Sequence, residues 1–182
     1  MATPRRALDA YLTPRWATEE LVRRVAIEGE VLEPCAGDGA ISEVLGKLPG
    51  VLVTTNDLDW SREGSDWHFD VTIPFDWFCL CSQHNFDWII SNPPFSHAPQ
   101  IVRAAYESAR VGIAMLLRLS FLEPCDNRGA WLAAHPPTRL IVLPRISFTG
   151  DGGKDMVTCA WVIFEHGVSK QTIEIVEKES NQ

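Results

Sequence analysis

No apolar run in this chain is long enough to cross a membrane, which excludes a protein built on membrane-spanning helices. Met1-Ala2-Thr3-Pro4-Arg5-Arg6 leads into no apolar segment, so no signal peptide is expected and the reading is cytoplasmic. Cysteine is sparse and odd in number: the five thiols Cys35, Cys79, Cys81, Cys125 and Cys159 are scattered, which argues against a disulfide framework and fits a reducing compartment. Cys79-Leu80-Cys81 with His84 hints at metal-ligand spacing, but no second ligand pair follows. Buried apolar thiols are the better reading, and no metal is expected. Positive charge is also short. The formal net charge of -8, with a pI near 5.1, denies the chain the overall basic footprint usual in nucleic-acid binders. Arg5, Arg6, Arg15, Arg23 and Arg24 concentrate near the start while Glu174, Glu177 and Glu179 load the tail, so a local basic patch within an acidic whole stays open beside ordinary solvated surface. Internal repeats and low-complexity tracts are absent, and 182 residues suffice for one substantial domain but hardly two.

What is present is an alternation of short apolar runs with amphipathic stretches, the pattern of an α/β domain. After an N-terminal arm (1–10), Thr13-Pro14 reads as a helix start, with Thr13 as N-cap and Pro14 at the first helical position, and 15–27 carries an apolar stripe of Trp16, Ala17, Leu21, Val22 and Val25. Val31-Leu32 ends a strand, and Glu33-Pro34-Cys35-Ala36-Gly37-Asp38-Gly39 forms a turn into a helix over 41–48. Glycines at such a turn permit positive φ and close approach of a ligand. The third glycine of the dinucleotide pattern and the Lys-Ser/Thr of a phosphate loop are both missing, so a nucleoside without a phosphate fits better than NAD or ATP. Residues 51–55 form a second strand, and Asp57, about 20 residues past the glycine turn, stands where an acid accepts ribose hydroxyls, with Asp59 competing for that role. Residues 68–72 read as a short third strand carrying Asp70, placed to accept an adenine amine, and 73–85 as irregular and aromatic-rich. Further along, 99–109 and 127–135 read as helices, 111–119, 138–144 and 156–165 as strands, 146–154 as a glycine loop able to cover a site, and 172–176 as an edge strand or part of a tail. The division is an arm (1–10), one domain (11–168) and a C-terminal edge strand or tail (169–182).

The chain is organised around Asn92-Pro93-Pro94-Phe95, which follows the apolar run Phe86-Asp87-Trp88-Ile89-Ile90-Ser91. Two prolines end that strand abruptly and stiffen the backbone. They leave an amide, both donor and acceptor, at a strand tip beside an aromatic face. The pair suits a planar ring with an exocyclic amine; the plainer alternative is a turn whose Asn caps the next helix.

Thr-Pro, then Glu-Pro-x-x-Gly-x-Gly, an acidic strand tip, an Asp and Asn-Pro-Pro-Phe together resemble the S-adenosylmethionine-dependent amino-methyltransferases, most closely the small phage-type adenine-N6 DNA methyltransferases. The resemblance spans roughly residues 11–165. It implies an α/β, Rossmann-like class I methyltransferase fold: a seven-stranded, mostly parallel sheet with helices on both faces and an antiparallel strand, here 156–165, near one edge. It implies S-adenosylmethionine as cofactor, bound by Tyr11, Thr13, Pro14, Glu33, Pro34, Gly37, Gly39, Asp57, Leu58, Asp70 and Asn92, and a catalytic set of Asn92, Pro93, Pro94 and Phe95. An aryl amine is a poor nucleophile because its lone pair is delocalised; the Asn92 carbonyl and the Pro93 backbone carbonyl would each accept one amine hydrogen and aim the lone pair at the methyl group. A base in a duplex would flip out and stack on Phe95.

The expected partner is DNA. No segment is long enough for a separate target-recognition domain, so the chain has relaxed sequence preference or borrows recognition from a partner; Arg145, the loop following it to Asp155 and the N-terminal arginines are the expected backbone contacts. Asn-Pro-Pro-aromatic also occurs in enzymes that methylate RNA guanine amines and protein glutamines, and a non-catalytic cofactor-binding subunit is the remaining alternative.

Overall fold

Short β-branched and aliphatic runs fall between helices and form the strands of one sheet, the most apolar of them buried at its middle. The computed structural model describes residues 12–61, 64–82, 84–146 and 158–177. Within them the chain runs α1 (Arg15–Val22), β1 (Gly29–Glu33), α2 (Ala40–Leu45), β2 (Val51–Thr55), α3 (Pro74–Cys81), β3 (Trp88–Ser91), α4 (Ala98–Ser108), β4 (Gly112–Arg118), a 3-10 turn (Leu119–Leu122), α5 (Gly129–Ala134), β5 (Arg139–Val142), β6 (Cys159–Glu165) and β7 (Thr172–Ile175). The seven strands lie in the order β2-β1-β3-β4-β6-β5-β7. Only β6 opposes its neighbours; the β1–β2, β1–β3, β3–β4 and β5–β7 pairs are parallel. The chain leaves β1 toward β2 and returns to β3 on the other side of β1. That reversal opens a crevice at the carboxyl ends of β1 and β3, the place where open α/β sheets bind ligands.

Successive residues of a strand point to opposite faces, and here both faces are covered. Val31, Trp88, Ile90, Ala114, Leu116 and Trp161 join α1 and α2 in one buried cluster. Leu32, Ile89, Ile113, Met115, Leu117 and Phe164 join α3 and α4 in another. Buried on both sides, β3, β4 and β6 read as continuous apolar runs, as strands of a covered sheet must. The fully buried Trp161 donates its Nε1 hydrogen to Ala17 O at 2.6 Å, tying α1 to the sheet.

Three expectations are corrected. Residues 68–72 do not form a third strand. Among the described residues they join no strand, because the Asn56 side chain takes the backbone N–H and C=O of Phe69; an isolated bridge between Asn56 and Trp67 stands just before them. The Asp70 carboxylate then turns the chain by accepting from Thr72 N and Oγ1. Within 73–85, Pro74–Cys81 form α3 rather than an irregular stretch: Pro74 opens the helix, where its fixed φ suits a first turn and its missing N–H costs nothing. The seventh strand comes instead from the C-terminal side, where β7 adds to β5 in parallel. Finally, α1 is capped by Pro14, with no side-chain cap bond, and stops at Val22, short of the expected 27. Thr13 is used elsewhere.

Candidate functional site

Four strand tips meet at the carboxyl edge, in the order β2, β1, β3, β4. β1 ends in Glu33, which is fully buried. Neither carboxylate oxygen has a hydrogen-bond partner among the described residues, and the same holds for the buried Ser91 hydroxyl at the end of β3. Burial pushes the Glu33 carboxyl well above the ordinary carboxylate range; Ser42 opposes the shift, and the charges of Asp38 and Asp57 add to it. A buried, unpartnered carboxylate is costly unless something meets it. It lies at the switch point, where that something would be a ligand with positive charge or hydrogen-bond donors.

The turn beyond Glu33 is braced from β2. Gly37 and Gly39 have φ of 61° and 78°, values that favour glycine. Gly37 N donates to Asp57 Oδ2 at 2.7 Å, Ala36 N to Asn56 O at 2.9 Å, and Gly39 N closes back on Ala36 O at 2.9 Å. Asp57 Oδ1 accepts from Asp59 N at 2.9 Å, while Asp59 turns its own Oδ1 to Ser61. Between the two competing acids, Asp57 is therefore the one against the glycine turn. Leu58 is exposed beside it, at 46%. A pocket of about 330 Å³ opens on the outer flank of the turn, lined by residues that include Gly37, Gly39, Ser42 and Thr55.

Asn56 was not singled out in the sequence, yet it is the joint of this edge. It is fully buried. Its Nδ2 donates to Pro34 O at 3.0 Å and Phe69 O at 3.1 Å, and its Oδ1 accepts from Phe69 N at 2.8 Å. One amide thus fixes the tip of β1 against the segment carrying Asp70. The only sequence signal for it is an Asn ending a β-branched run. Asp70, half-buried, uses Oδ1 in its turn with Thr72.

On the other side of the crevice, Asn92 follows β3 directly. Its Nδ2 donates to the buried Thr13 hydroxyl at 3.0 Å, across 79 residues of sequence. The expected N-cap hydroxyl therefore holds the Asn amide, which accounts for the absence of a side-chain cap on α1. Asn92 does not cap the following helix; the N-cap of α4 is His97. Pro93 is buried, Pro94 and Phe95 half-buried. Arg118, hidden in the sequence at the end of an apolar run, places its guanidinium over the Phe95 ring, 4.6 Å from the centroid. Of the expected residues the structure gathers Thr13, Pro14, Glu33, Pro34, Gly37, Gly39, Asp57, Asp70 and Asn92 to Phe95 along one sheet edge. Tyr11, Arg5, Arg6 and the loop 147–157 lie outside the described residues, and Arg145 is exposed.

The Cys79, Cys81 and His84 spacing builds no cluster: among the described residues no three His, Cys, Asp or Glu side chains gather as a metal site requires. Burial pushes the Cys35 thiol up to about 12 and the Cys81 thiol to about 11. No helix among the described residues is long and apolar enough to cross a membrane.

No protein-family profile matches the chain, and no curated protein is a significant match. Solved structures do match. The chain is similar to a predicted O-methyltransferase from Agrobacterium tumefaciens, at 17% identity and a TM-score of 0.63, over 93% of this chain and 90% of that one. It is similar to a candidate RNA methyltransferase from Pyrococcus horikoshii, at 21% identity and a TM-score of 0.63, over 87% of this chain and 88% of that one. The N-terminal domain of EvdMO1, solved with SAH bound, matches at 13% identity and a TM-score of 0.56, over 84% and 81% of the two chains. At these identities the likeness establishes the fold, a Rossmann-like class I methyltransferase fold.

Proposed function

We propose that this protein is an S-adenosylmethionine-dependent methyltransferase acting on the exocyclic amine of adenine in DNA. The observation that carries the reading is the Thr13–Asn92 bond at 3.0 Å, at the tip of β3, the strand paired with the β1 that ends in the unpartnered Glu33 carboxylate. Donating Nδ2 to Thr13 makes the carbonyl end of Asn92 the acceptor, the end that an aryl amine needs.

The residues fit the cofactor. The fold is one that binds SAH in the EvdMO1 domain. Glu33 lacks a partner that a methionine ammonium would supply, the positive-φ glycines give close backbone approach, and Asp57, Leu58 and Asp70 follow along the edge where ribose and adenine would lie. When bound there, S-adenosylmethionine supplies the methyl group on a sulfonium. The protein then has three tasks. Asn92 Oδ1 and Pro93 O accept the two amine hydrogens, which localises the nitrogen lone pair. Phe95 stacks against the base and fixes its plane. The stiff double proline keeps both acceptors in place, so alignment and fixed dipoles do most of the work.

The Thr-Pro element favours adenine over the RNA guanine and protein glutamine amines that the same tetrapeptide serves elsewhere. The test is transfer of a labelled methyl group to duplex DNA, single-stranded DNA, RNA and protein extract, with the product identified by mass. Methyladenosine from DNA is the expected product; label in protein or in RNA alone would overturn the substrate, and no label in any pool would overturn the activity.

A further inference from the structure

We propose that the segment following β4 is a phosphate-binding rim for the nucleic-acid substrate, with Arg103, Arg118 and Arg128 as its contacts. The proposal rests on the reading of the site as one for a nucleobase.

Three arginines from three parts of the chain converge on this segment. Arg118 ends β4 and sits over Phe95. The 3-10 turn Leu119–Leu122 follows at once. Arg128 reaches back to it, donating Nε to Phe121 O at 2.6 Å and Nη2 to Ser120 O at 2.9 Å, with its guanidinium 5.5 Å from the centre of the Phe121 ring. Arg103, on α4, donates to Asn127 O.

Five other arginines among the described residues are treated differently. Arg15 meets Glu43, Arg23 and Arg24 meet Glu20, Arg24 and Arg139 meet Glu174, and Arg110 meets Asp87. Those pairs cancel their charge. Arg103 and Arg128 are instead fixed by neutral oxygens, backbone carbonyls and, for Arg128 Nη1, Asn127 Oδ1 at 3.2 Å, which orient the guanidinium and leave its charge intact. A planar guanidinium held in place is a good phosphate ligand. The rim also has the right address. Ser91 pairs with Met115, so the tip of β4 adjoins the tip of β3, and the strand on either side of a base lodged at Asn92–Phe95 would run past it. Phosphate contacts of this kind set register without reading sequence. A local rim also reconciles nucleic-acid binding with the net charge of -8. Glu123 and Asp126 lie exposed in the same segment and offset part of the charge.

The experiment measures dissociation constants of the full chain, saturated with S-adenosylhomocysteine, for duplex DNA, single-stranded DNA and RNA oligonucleotides across a range of salt. Each phosphate contact contributes about 0.9 to the slope of log affinity against log salt for duplex DNA and about 0.7 for single strands. Replacing all three arginines by Gln should therefore flatten the slope by roughly 2 to 3. Replacing them by Lys should keep it. Arg103 and Arg128 also hold the turn together, so a complementary variant adds charge at exposed positions: Glu123→Lys with Asp126→Lys should steepen the slope. An unchanged slope in the Gln variant, or in the added-charge variant, overturns the rim. If the native chain methylates a nucleic acid and the slopes still do not move, the rim alone falls. If the native chain methylates only protein, the substrate reading falls and takes the rim with it.

Discussion

Glu33 carries two obligations that pull against each other. Burial without a hydrogen-bond partner destabilises its charged form and raises its pKa, while a cationic ligand would need that same charge. A carboxyl raised in the folded state contributes stability that is fully present below its unfolded value and lost as pH rises through the folded value. The cofactor-free chain should therefore lose stability as pH climbs from about 4.5, the ordinary value. Glu33→Gln keeps the shape and removes the charge. Its melting temperature should match the native one in acid and exceed it at pH 8, by about 2–4 °C per kcal/mol recovered. The same variant should bind S-adenosylmethionine roughly ten- to a hundredfold more weakly, the scale of a lost hydrogen bond to a charged group. Scanning calorimetry and titration calorimetry on one preparation separate the two effects. Asn92 has the opposite profile. Asn92→Ala should cut methyl transfer by about 100- to 1000-fold, the scale for removing one fixed dipole at a reacting centre, and leave cofactor affinity largely intact. Thr13→Val should cost about tenfold in transfer, with Thr13→Ser restoring it, since only the hydroxyl is needed to hold the amide; equal losses in Val and Ser would mean that the contact at 3.0 Å does not orient it.

At the scale of elements, one amide does what a strand was expected to do. Asn56 bonds Pro34 and Phe69 through three side-chain hydrogen bonds, and so ties the β1 tip to the Asp70 segment. Asn56→Ala leaves those backbone groups without their partner and should cost about 2–4 kcal/mol, read as a fall in the denaturation midpoint. Cofactor affinity should fall with it, because Glu33 and Asp70 lose their common brace. The substitution also marks where sequence reading stops. β3 was legible because two prolines end a run buried on both faces, and the glycine turn because only glycine adopts those φ values freely. Residues 68–72 alternate like a strand, but a side chain 13 residues upstream takes the backbone bonds of Phe69, and no local pattern encodes that. Arg118 was invisible for a related reason: at the end of an apolar run a charge reads as punctuation, and only folding brings Phe95 beneath it. Thr13 was legible as a polar residue before a proline, but its partner lies 79 residues away.

For the whole molecule, the site depends on a sheet shared by two cores. Ile89 packs toward α3 and α4, and its neighbour Ile90 toward α1 and α2; both are fully buried. The clusters use alternate residues of the same central strands, β1, β3, β4 and β6. One face therefore cannot melt without breaking the ladder that supports the other. The chain should unfold in a single cooperative transition. Ile89→Ala and Ile90→Ala should each cost about 2–5 kcal/mol and lower one common midpoint. Trp161, bonded to Ala17 on the α1 face, and Trp77, bonded to Ser108 on the α4 face, offer a probe for each side. Among the seven tryptophans, these two indole N–H signals are told apart by NMR, each assigned from its own Trp→Phe variant. Coincident loss of the two signals with denaturant, matching calorimetry, is the expected result. If Ile90→Ala instead shifted the Trp161 transition and left the Trp77 transition in place, the faces would be separate units. The crevice between the tips of β1, which ends in Glu33, and β3, which Asn92 follows, would then be held by local contacts such as Thr13–Asn92 rather than by the fold as a whole.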